Sequence, residues 1–149
     1  MLHLMRWAVV RIPSSLRSRL GLRPRLVRRS ILGREVLVLD GSVREKADYD
    51  DAWCLACAAH SRIVFDVGSN VGQAALPMLL TGVPELVVLI DANPQALAYA
   101  AENIFRNGLW RHSQFVCAFV GATGGDASLL DCGHRCGREL LSATCCYGG

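Results

Sequence analysis

The sequence predicts an α/β protein with a Rossmann-like, doubly wound parallel sheet, and three observations support this class. Residues 63–120 alternate short apolar runs with helical patterns, in the order strand, helix, strand, helix, strand. A glycine-rich turn directly follows the first run, and an aspartate ends the second. The 149-residue chain is 52% apolar, which is enough to bury a core.

Three elements are predicted ahead of this block. A short helix interrupted at Pro24 is suggested by Leu16, Leu20, Leu22 and Leu26. Residues 35–39 form a predicted strand that ends at the turn Asp40-Gly41. Residues 47–60 form a predicted helix, because apolar positions recur at helical intervals and aspartates lie in the first turn, where the helix dipole favours them.

The alternating block supplies the rest of the predicted sheet. Residues 63–67 are an apolar run with one carboxylate, which is typical of a buried parallel strand. A helix over about 73–80, a strand over 86–90, a helix from Pro94 to about Arg106 and a strand over 115–120 follow. The block is therefore predicted to be half of a doubly wound sheet.

Charge and composition divide the chain and exclude several classes. Residues 1–46 hold eleven cationic and three acidic residues, whereas residues 47–149 hold five and ten. No run reaches the ~18 to 20 apolar residues of a membrane-spanning helix. Aromatic residues are not interleaved with the arginines, so we expect no nucleic-acid partner. The basic arm could contact a membrane surface peripherally.

We expect three regions: a basic N-terminal helical arm at 1–46, a cofactor-binding half-domain at 47–121 and an irregular Gly/Cys-rich tail at 122–149. Seven cysteines are an odd count, and the N-terminus lacks the pattern of a secretory signal. These features predict reduced thiols and a cytoplasmic location. Residues 1–30 lack acidic residues, so a targeting segment stays an open alternative.

Candidate binding residues lie at the carboxyl ends of the first two strands of the block, where open α/β sheets place ligands. Gly68 and Gly72 let the backbone approach a ligand closely. Asp91 stands 19 residues beyond Gly72, a spacing at which a carboxylate can accept hydrogen bonds from both ribose hydroxyls. A nucleoside ligand is therefore expected.

The composition of the turn favours S-adenosyl-L-methionine as that ligand. Asn70 occupies the place of the middle glycine in a dinucleotide-binding turn and obstructs a phosphate. Asp66 would repel a pyrophosphate but could accept a hydrogen bond from the ammonium group of an amino-acid tail. S-adenosyl-L-methionine has this tail and no phosphate. A nicotinamide-dependent oxidoreductase is the alternative enzyme.

Three segments resemble the opening motifs of FkbM-type class I S-adenosylmethionine-dependent methyltransferases. They are 64–73 (VFDVGSNVGQ), 89–94 (LIDANP) and 102–109 (ENIFRNGL). The family typically reads F-D-[VI]-G-A-N-x-G, E-P-N-P and N-x-x-x-N-G-L, so Ser69 and Asp91-Ala92 are departures. The resemblance covers residues 60–121 and implies O-methyl transfer from S-adenosyl-L-methionine to a small-molecule or glycan hydroxyl.

The resemblance also implies roles for single residues. The methionine end of the cofactor would be lined by Asp66, Gly68 and Gly72, the turn shaped by Ser69 and Asn70, the ribose held by Asp91, and the adenosine approached by Asn93. It assigns no catalytic residue, and many methyl transfers need little more than in-line positioning of the acceptor.

The part after Val120 departs from the family, which continues into a fourth strand with a K-I-D-x-E-G segment. Without that strand, the strand at 63–67 would lie at an open edge through which the chain could self-associate. We therefore expect an incomplete chain that is inactive alone. A zinc-binding or interaction fragment is the non-enzymatic alternative, since sulfur for a tetrahedral site is available from Cys54, Cys57, Cys132, Cys136, Cys145 and Cys146.

Overall fold

The computed structural model describes residues 20–44, 46, 48–121, 127–130 and 140–143, the last two segments by their backbone alone. Its strands are β1 (Leu26–Ile31), β2 (Arg34–Leu39), β3 (Ile63–Val67), β4 (Leu86–Asp91), β5 (Ser113–Cys117), β6 (Ala127–Leu130) and β7 (Leu140–Ala143). Its helices are α1 (Tyr49–Ala58), α2 (Ala75–Thr81) and α3 (Pro94–Arg106), with a short 3₁₀ turn at Trp110–His112.

A parallel sheet with the order β3-β4-β5 forms the centre of the described fold. In its register Val64 lies opposite Val87, and Leu89 lies opposite Phe115. The helices α2 and α3 cover the same face of this sheet, in a core of Ala75, Leu79, Val87, Leu89, Leu97, Ala100 and Ile104. The predicted α/β class with a parallel, Rossmann-like sheet is confirmed.

The other face of β3 is open in the described part of the chain. Ile63, Phe65 and Val67 are 54%, 65% and 57% exposed. The expectation that this strand is buried is wrong for this face, because both crossover helices lie on the opposite one. β3 is also an edge strand of the three-stranded sheet, as the sequence predicted. An apolar run therefore predicted the strand but not what covers it.

The described part of the N-terminal arm contains a β-hairpin rather than a helix. β1 and β2 pair antiparallel, with Leu26 opposite Leu39 and Ile31 opposite Arg34. The helix predicted around Leu22 is therefore wrong over residues 20–26, and its earlier part lies outside the described residues. The physical reason is tertiary packing, since the hairpin and α2 bury one apolar cluster made of Val36, Val38, Leu76 and Leu80.

The predicted boundaries hold for α3, whereas α1 is shorter than the predicted 47–60 and β5 is shifted from the predicted 115–120. Asp48 caps α1, and its side chain and that of Asp51 exchange hydrogen bonds with each other's backbone N–H in a capping box. α3 spans the predicted residues with proline in its first turn. β5 ends at Cys117 rather than at residue 120, because its pairing with β4 stops opposite Asp91.

The described residues beyond 121 form one antiparallel strand pair, β6 with β7. The tail is therefore not irregular throughout, although the rest of it lies outside the described residues. In the part of the chain that the structure describes, no helix has the length and apolar content required to cross a membrane. The cytoplasmic location stays a prediction.

Candidate functional site

The turn after β3 is built from left-handed backbone conformations. Gly68, Asn70 and Gly72 have φ values of 77°, 48° and 79°. Glycine adopts this region without strain, and asparagine is one of the few other residues that adopt it readily. The backbone N–H of Gly68 donates to the carbonyl oxygen of Ile90 at 2.8 Å. The turn is thereby fixed to the carboxyl end of β4, at the edge of the sheet where the sequence predicted the site.

The two glycines of the turn meet different surroundings. A Cβ built on Gly68 has no atom within 4 Å, so this residue faces open space. A Cβ on Gly72 would lie 3.1 Å from the Cβ and 3.3 Å from the Cα of Ala100 in α3. Gly68 therefore leaves room for a ligand, whereas Gly72 allows close packing of α3 against the turn.

Asp91 connects the turn to the start of α3. Its Oδ2 accepts from the backbone N–H of Asn70 at 2.7 Å, and its Oδ1 accepts from that of Asn93 at 2.8 Å. Each carboxylate oxygen has a second lone pair, which stays available for a ligand hydroxyl. The side chain of Asn93 caps α3 by accepting from the N–H groups of Gln95 and Ala96, so its polar oxygen is engaged by the helix.

Two buried oxygen atoms beside Gly68 have no hydrogen-bond partner among the described residues, namely Oδ2 of Asp66 and Oγ of Ser69. Burial raises the pKa of the Asp66 carboxyl; a hydrogen bond from the backbone of Ala75 opposes this shift, and the negative charge of Asp91 adds to it. A buried carboxylate oxygen without a partner fits a group that donates a hydrogen bond or carries positive charge.

We expect Asp66→Asn to stabilise the ligand-free protein. The folded-state pKa of Asp66 is raised, so the folded protein binds the proton more tightly than the unfolded chain. Stability is therefore lost as pH rises from the unfolded pKa through the folded pKa, and the loss persists above it. Asparagine has no charge to bury, so the free energy of unfolding at pH 7 should rise by about 1 kcal/mol.

Urea unfolding of both proteins between pH 3 and 8 measures this effect, on the pH scale set by ordinary aspartate. The gain from Asp66→Asn should shrink towards the acidic end, where the parent carboxyl is protonated. A variant that is less stable than the parent at pH 7 would show that the Asp66 charge is compensated inside the fold.

The structure also gives contacts to two residues for which the sequence predicted no role. Asn103 and Asn107 lie one turn apart on α3, and both bond to the backbone of β2. Asn103 bonds in addition to Val71 in the glycine turn. Their spacing of four residues, which places side chains on one helix face, is the signal in the sequence that could have predicted a shared role.

The cysteines give limited support to a zinc site in the described part of the chain. No group of three or more His, Cys, Asp or Glu side chains there is arranged to hold a metal ion. Burial, followed by the charges of Asp66 and Asp51, raises the pKa of the Cys54 thiol, which disfavours the thiolate that binds zinc. The cysteines at 132, 136, 145 and 146 lie outside the described residues.

Comparison with known proteins adds solved structures of similar fold. No protein-family model and no curated protein matches the chain. The S-adenosylmethionine-dependent methyltransferase from Agrobacterium tumefaciens is 22% identical, with a TM-score of 0.46 over 62% of this chain and 32% of that one. TYW2 of P. horikoshii, solved with MeSAdo, is 14% identical, with a TM-score of 0.47 over 68% and 44%.

A third similar structure is aTrm5 in complex with tRNALeu, at 19% identity and a TM-score of 0.47 over 62% of this chain and 28% of that one. The chain thus spans less than half of each of these structures. At such identities the likeness assigns no activity or ligand to this protein, and the α/β class rests on the sheet and helices described above.

The expectation that nucleic acid is excluded as a partner is wrong, because a protein of similar fold is solved with bound tRNA. For the same reason, the expectation that the acceptor is restricted to a small-molecule or glycan hydroxyl is wrong. The exclusion relied on the separation of aromatic residues from arginines along the sequence. In the fold, however, the rings of Phe105 and Trp110 stack with centroids 6.2 Å apart, and the Arg111 guanidinium lies 5.2 Å from the centroid of the Trp110 ring. These residues are also close in sequence, so the exclusion overlooked aromatic and arginine residues that lie together at 105–111.

Proposed function

We propose that the turn at 68–72 binds S-adenosyl-L-methionine and that the protein is a methyltransferase. The observation that carries this proposal is the buried, unpartnered Oδ2 of Asp66, two residues before Gly68, at which an added Cβ would meet no atom within 4 Å. The ammonium group of the cofactor's methionine tail would donate to this oxygen and supply the missing charge partner. The ribose hydroxyls would use the free lone pairs of Asp91.

A dinucleotide fits the same geometry less well. Its pyrophosphate would approach a turn flanked in sequence by Asp66 and bonded to the carboxylate of Asp91, and these like charges would repel it. Asn70 is held in a left-handed conformation by the bond from its N–H to Asp91, at the position where a dinucleotide turn has glycine. We therefore favour the sulfonium cofactor over NAD.

We propose further that the enzyme is of FkbM type and methylates an oxygen atom. The support is the resemblance of 64–73, 89–94 and 102–109 to the family motifs. In the structure the first of these segments forms hydrogen bonds with each of the other two. The methyl group would pass from the cofactor's sulfur to an oxygen that loses its proton. In this proposal residues 63–121 bind and orient the cofactor.

Substitution of Gly68 tests the cofactor site. Gly68→Ala places a methyl group in the space that the ligand would occupy, so affinity for S-adenosylhomocysteine should fall at least tenfold. Gly82→Ala is the matched control, because Gly82 has φ 72° and open surroundings at the end of α2. Both variants place alanine at a similar positive φ, but only Gly68→Ala lies in the proposed site.

Isothermal titration of parent and variants with S-adenosylhomocysteine and with NAD measures this difference. We expect the parent and Gly82→Ala to have affinities for S-adenosylhomocysteine within twofold of each other and to show no measurable binding of NAD. Preference for NAD would favour the oxidoreductase. Equal binding by all three proteins would place the ligand away from Gly68.

Methyl transfer is then assayed with hydroxyl compounds and with tRNA as separate acceptors, with release of S-adenosylhomocysteine as the readout.

A further inference from the structure

Asn103 joins two parts of the molecule that are far apart in sequence. Asn103 lies on the buried face of α3 and is only 1% exposed. The Oδ1 atom accepts from the backbone N–H of Leu39 at the end of β2, at 2.8 Å. The Nδ2 atom donates to the carbonyl oxygen of Val71 in the glycine turn, at 3.0 Å. One amide group therefore holds both the hairpin and the turn.

The helix meets the turn at two successive residues. Ala100 packs against Gly72, and three residues later Asn103 bonds to Val71. Positions three apart lie on one face of a helix, so this face of α3 sets where the turn sits. The apolar contact at Gly72 fixes the distance between helix and turn. The hydrogen bond to the carbonyl of Val71 is directional and fixes the orientation of the peptide between Val71 and Gly72.

Asn107 shows what the same residue type does without a contact to the turn. Its Oδ1 accepts from the N–H of Leu37, and its Nδ2 donates to the carbonyl oxygen of Leu37, both at 2.9 Å. Its Nδ2 also donates to the backbone of Asn103, and it forms no hydrogen bond with residues 68–72 among the bonds of the described residues. Asn107 thus attaches the hairpin to α3, whereas Asn103 attaches both hairpin and turn.

We propose that Asn103 is a positioning residue for the cofactor turn and that it couples the β1–β2 hairpin to cofactor binding. This inference rests on the proposed function. The Asn103 amide orients Val71, and through it the left-handed Asn70 beside the proposed ligand. Coupling between two sites is reciprocal, so a hairpin contact that favours ligand binding must itself be strengthened by the ligand, at the hydrogen bond that the N–H of Leu39 donates to Asn103.

The test compares Asn103→Asp with Asn107→Ala. Aspartate keeps an acceptor for the N–H of Leu39 but sets a carboxylate oxygen against the carbonyl of Val71, so it breaks the bond to the turn selectively. At equal folded fraction, affinity for S-adenosylhomocysteine should fall at least tenfold in Asn103→Asp and change less than twofold in Asn107→Ala. Amide hydrogen exchange of residues 69–72 should accelerate only in Asn103→Asp.

A second readout tests the coupling itself. Adding S-adenosylhomocysteine to the parent should slow hydrogen exchange at the amide of Leu39, and this protection should be lost in Asn103→Asp. A residue that merely stabilised the fold would not transmit ligand binding to the hairpin. If Asn103→Asp does not fold, Asn103→Ala replaces it in the same comparison with Asn107→Ala.

Equal affinity and equal turn exchange in the Asn103 and Asn107 variants would overturn the proposal. Failure of the proposed function is recognised separately, because the parent protein itself would then not bind S-adenosylhomocysteine. In that case the proposed coupling to a cofactor is also wrong. Amide hydrogen exchange of residues 69–72 in the ligand-free variants still shows whether Asn103 positions the turn.

Discussion

Replacing Gly72 by alanine is expected to lower the free energy of unfolding by about 2 to 5 kcal/mol, the sum of two physical effects. A left-handed conformation costs a residue with a Cβ about 1 to 2 kcal/mol. The added Cβ would also lie 3.1 Å from the Cβ and 3.3 Å from the Cα of Ala100. Relief requires α3 to move away from the turn, because the backbone of Ala100 cannot rotate aside as a long side chain can.

Gly68→Ala separates these two effects. Gly68 has nearly the same φ as Gly72 but no atom within 4 Å of the added Cβ. It should lose only the conformational part, about 1 to 2 kcal/mol. Urea unfolding of the two variants at pH 7 gives the difference directly. Similar losses in both would mean that α3 accommodates the methyl group and that close packing at Gly72 contributes little.

Replacing Asp91 by alanine is expected to impair both the turn and ligand binding. The carboxylate accepts from the backbone N–H groups of Asn70 and Asn93. Because these two donors lose a charged acceptor, stability should fall by about 1 to 3 kcal/mol. Affinity for S-adenosylhomocysteine should fall at least tenfold at equal folded fraction, since the ribose hydroxyls lose the same carboxylate.

Asp91→Glu is the matched control, because the resembled family has glutamate at this position. Glutamate keeps the charge and both acceptor oxygens, so it should retain most of the ligand affinity that Asp91→Ala loses. Titration calorimetry and urea unfolding of the two variants measure both effects. If Asp91→Ala lost stability but bound the ligand like the parent, Asp91 would serve the fold of the turn and not the ribose.

Much of the described fold could be predicted from local sequence. The aspartates in the first turn of α1 and the helix that begins at Pro94 depend on neighbouring residues, and both appear where the pattern predicted them. The parallel strands were predicted by apolar runs whose period differs from that of the helices. The β1–β2 hairpin was not, because β1 contains three polar residues, two of them arginines, among its apolar ones. Its strand conformation depends on a cluster shared with α2, which is distant in sequence.

The candidate site divides in the same way. Local sequence specifies the residue types around the turn, because Gly68, Asn70 and Gly72 suit its left-handed positions, and Asp66 and Asp91 stand at fixed spacings before and after it. Tertiary packing determined that one glycine faces open space and the other faces Ala100. It also decided that Asn103 holds Val71, since a hydrogen bond between a helix side chain and a turn depends on how α3 packs across the sheet. Spacing along a chain specifies local conformation, whereas contacts between distant segments are fixed only when the core assembles.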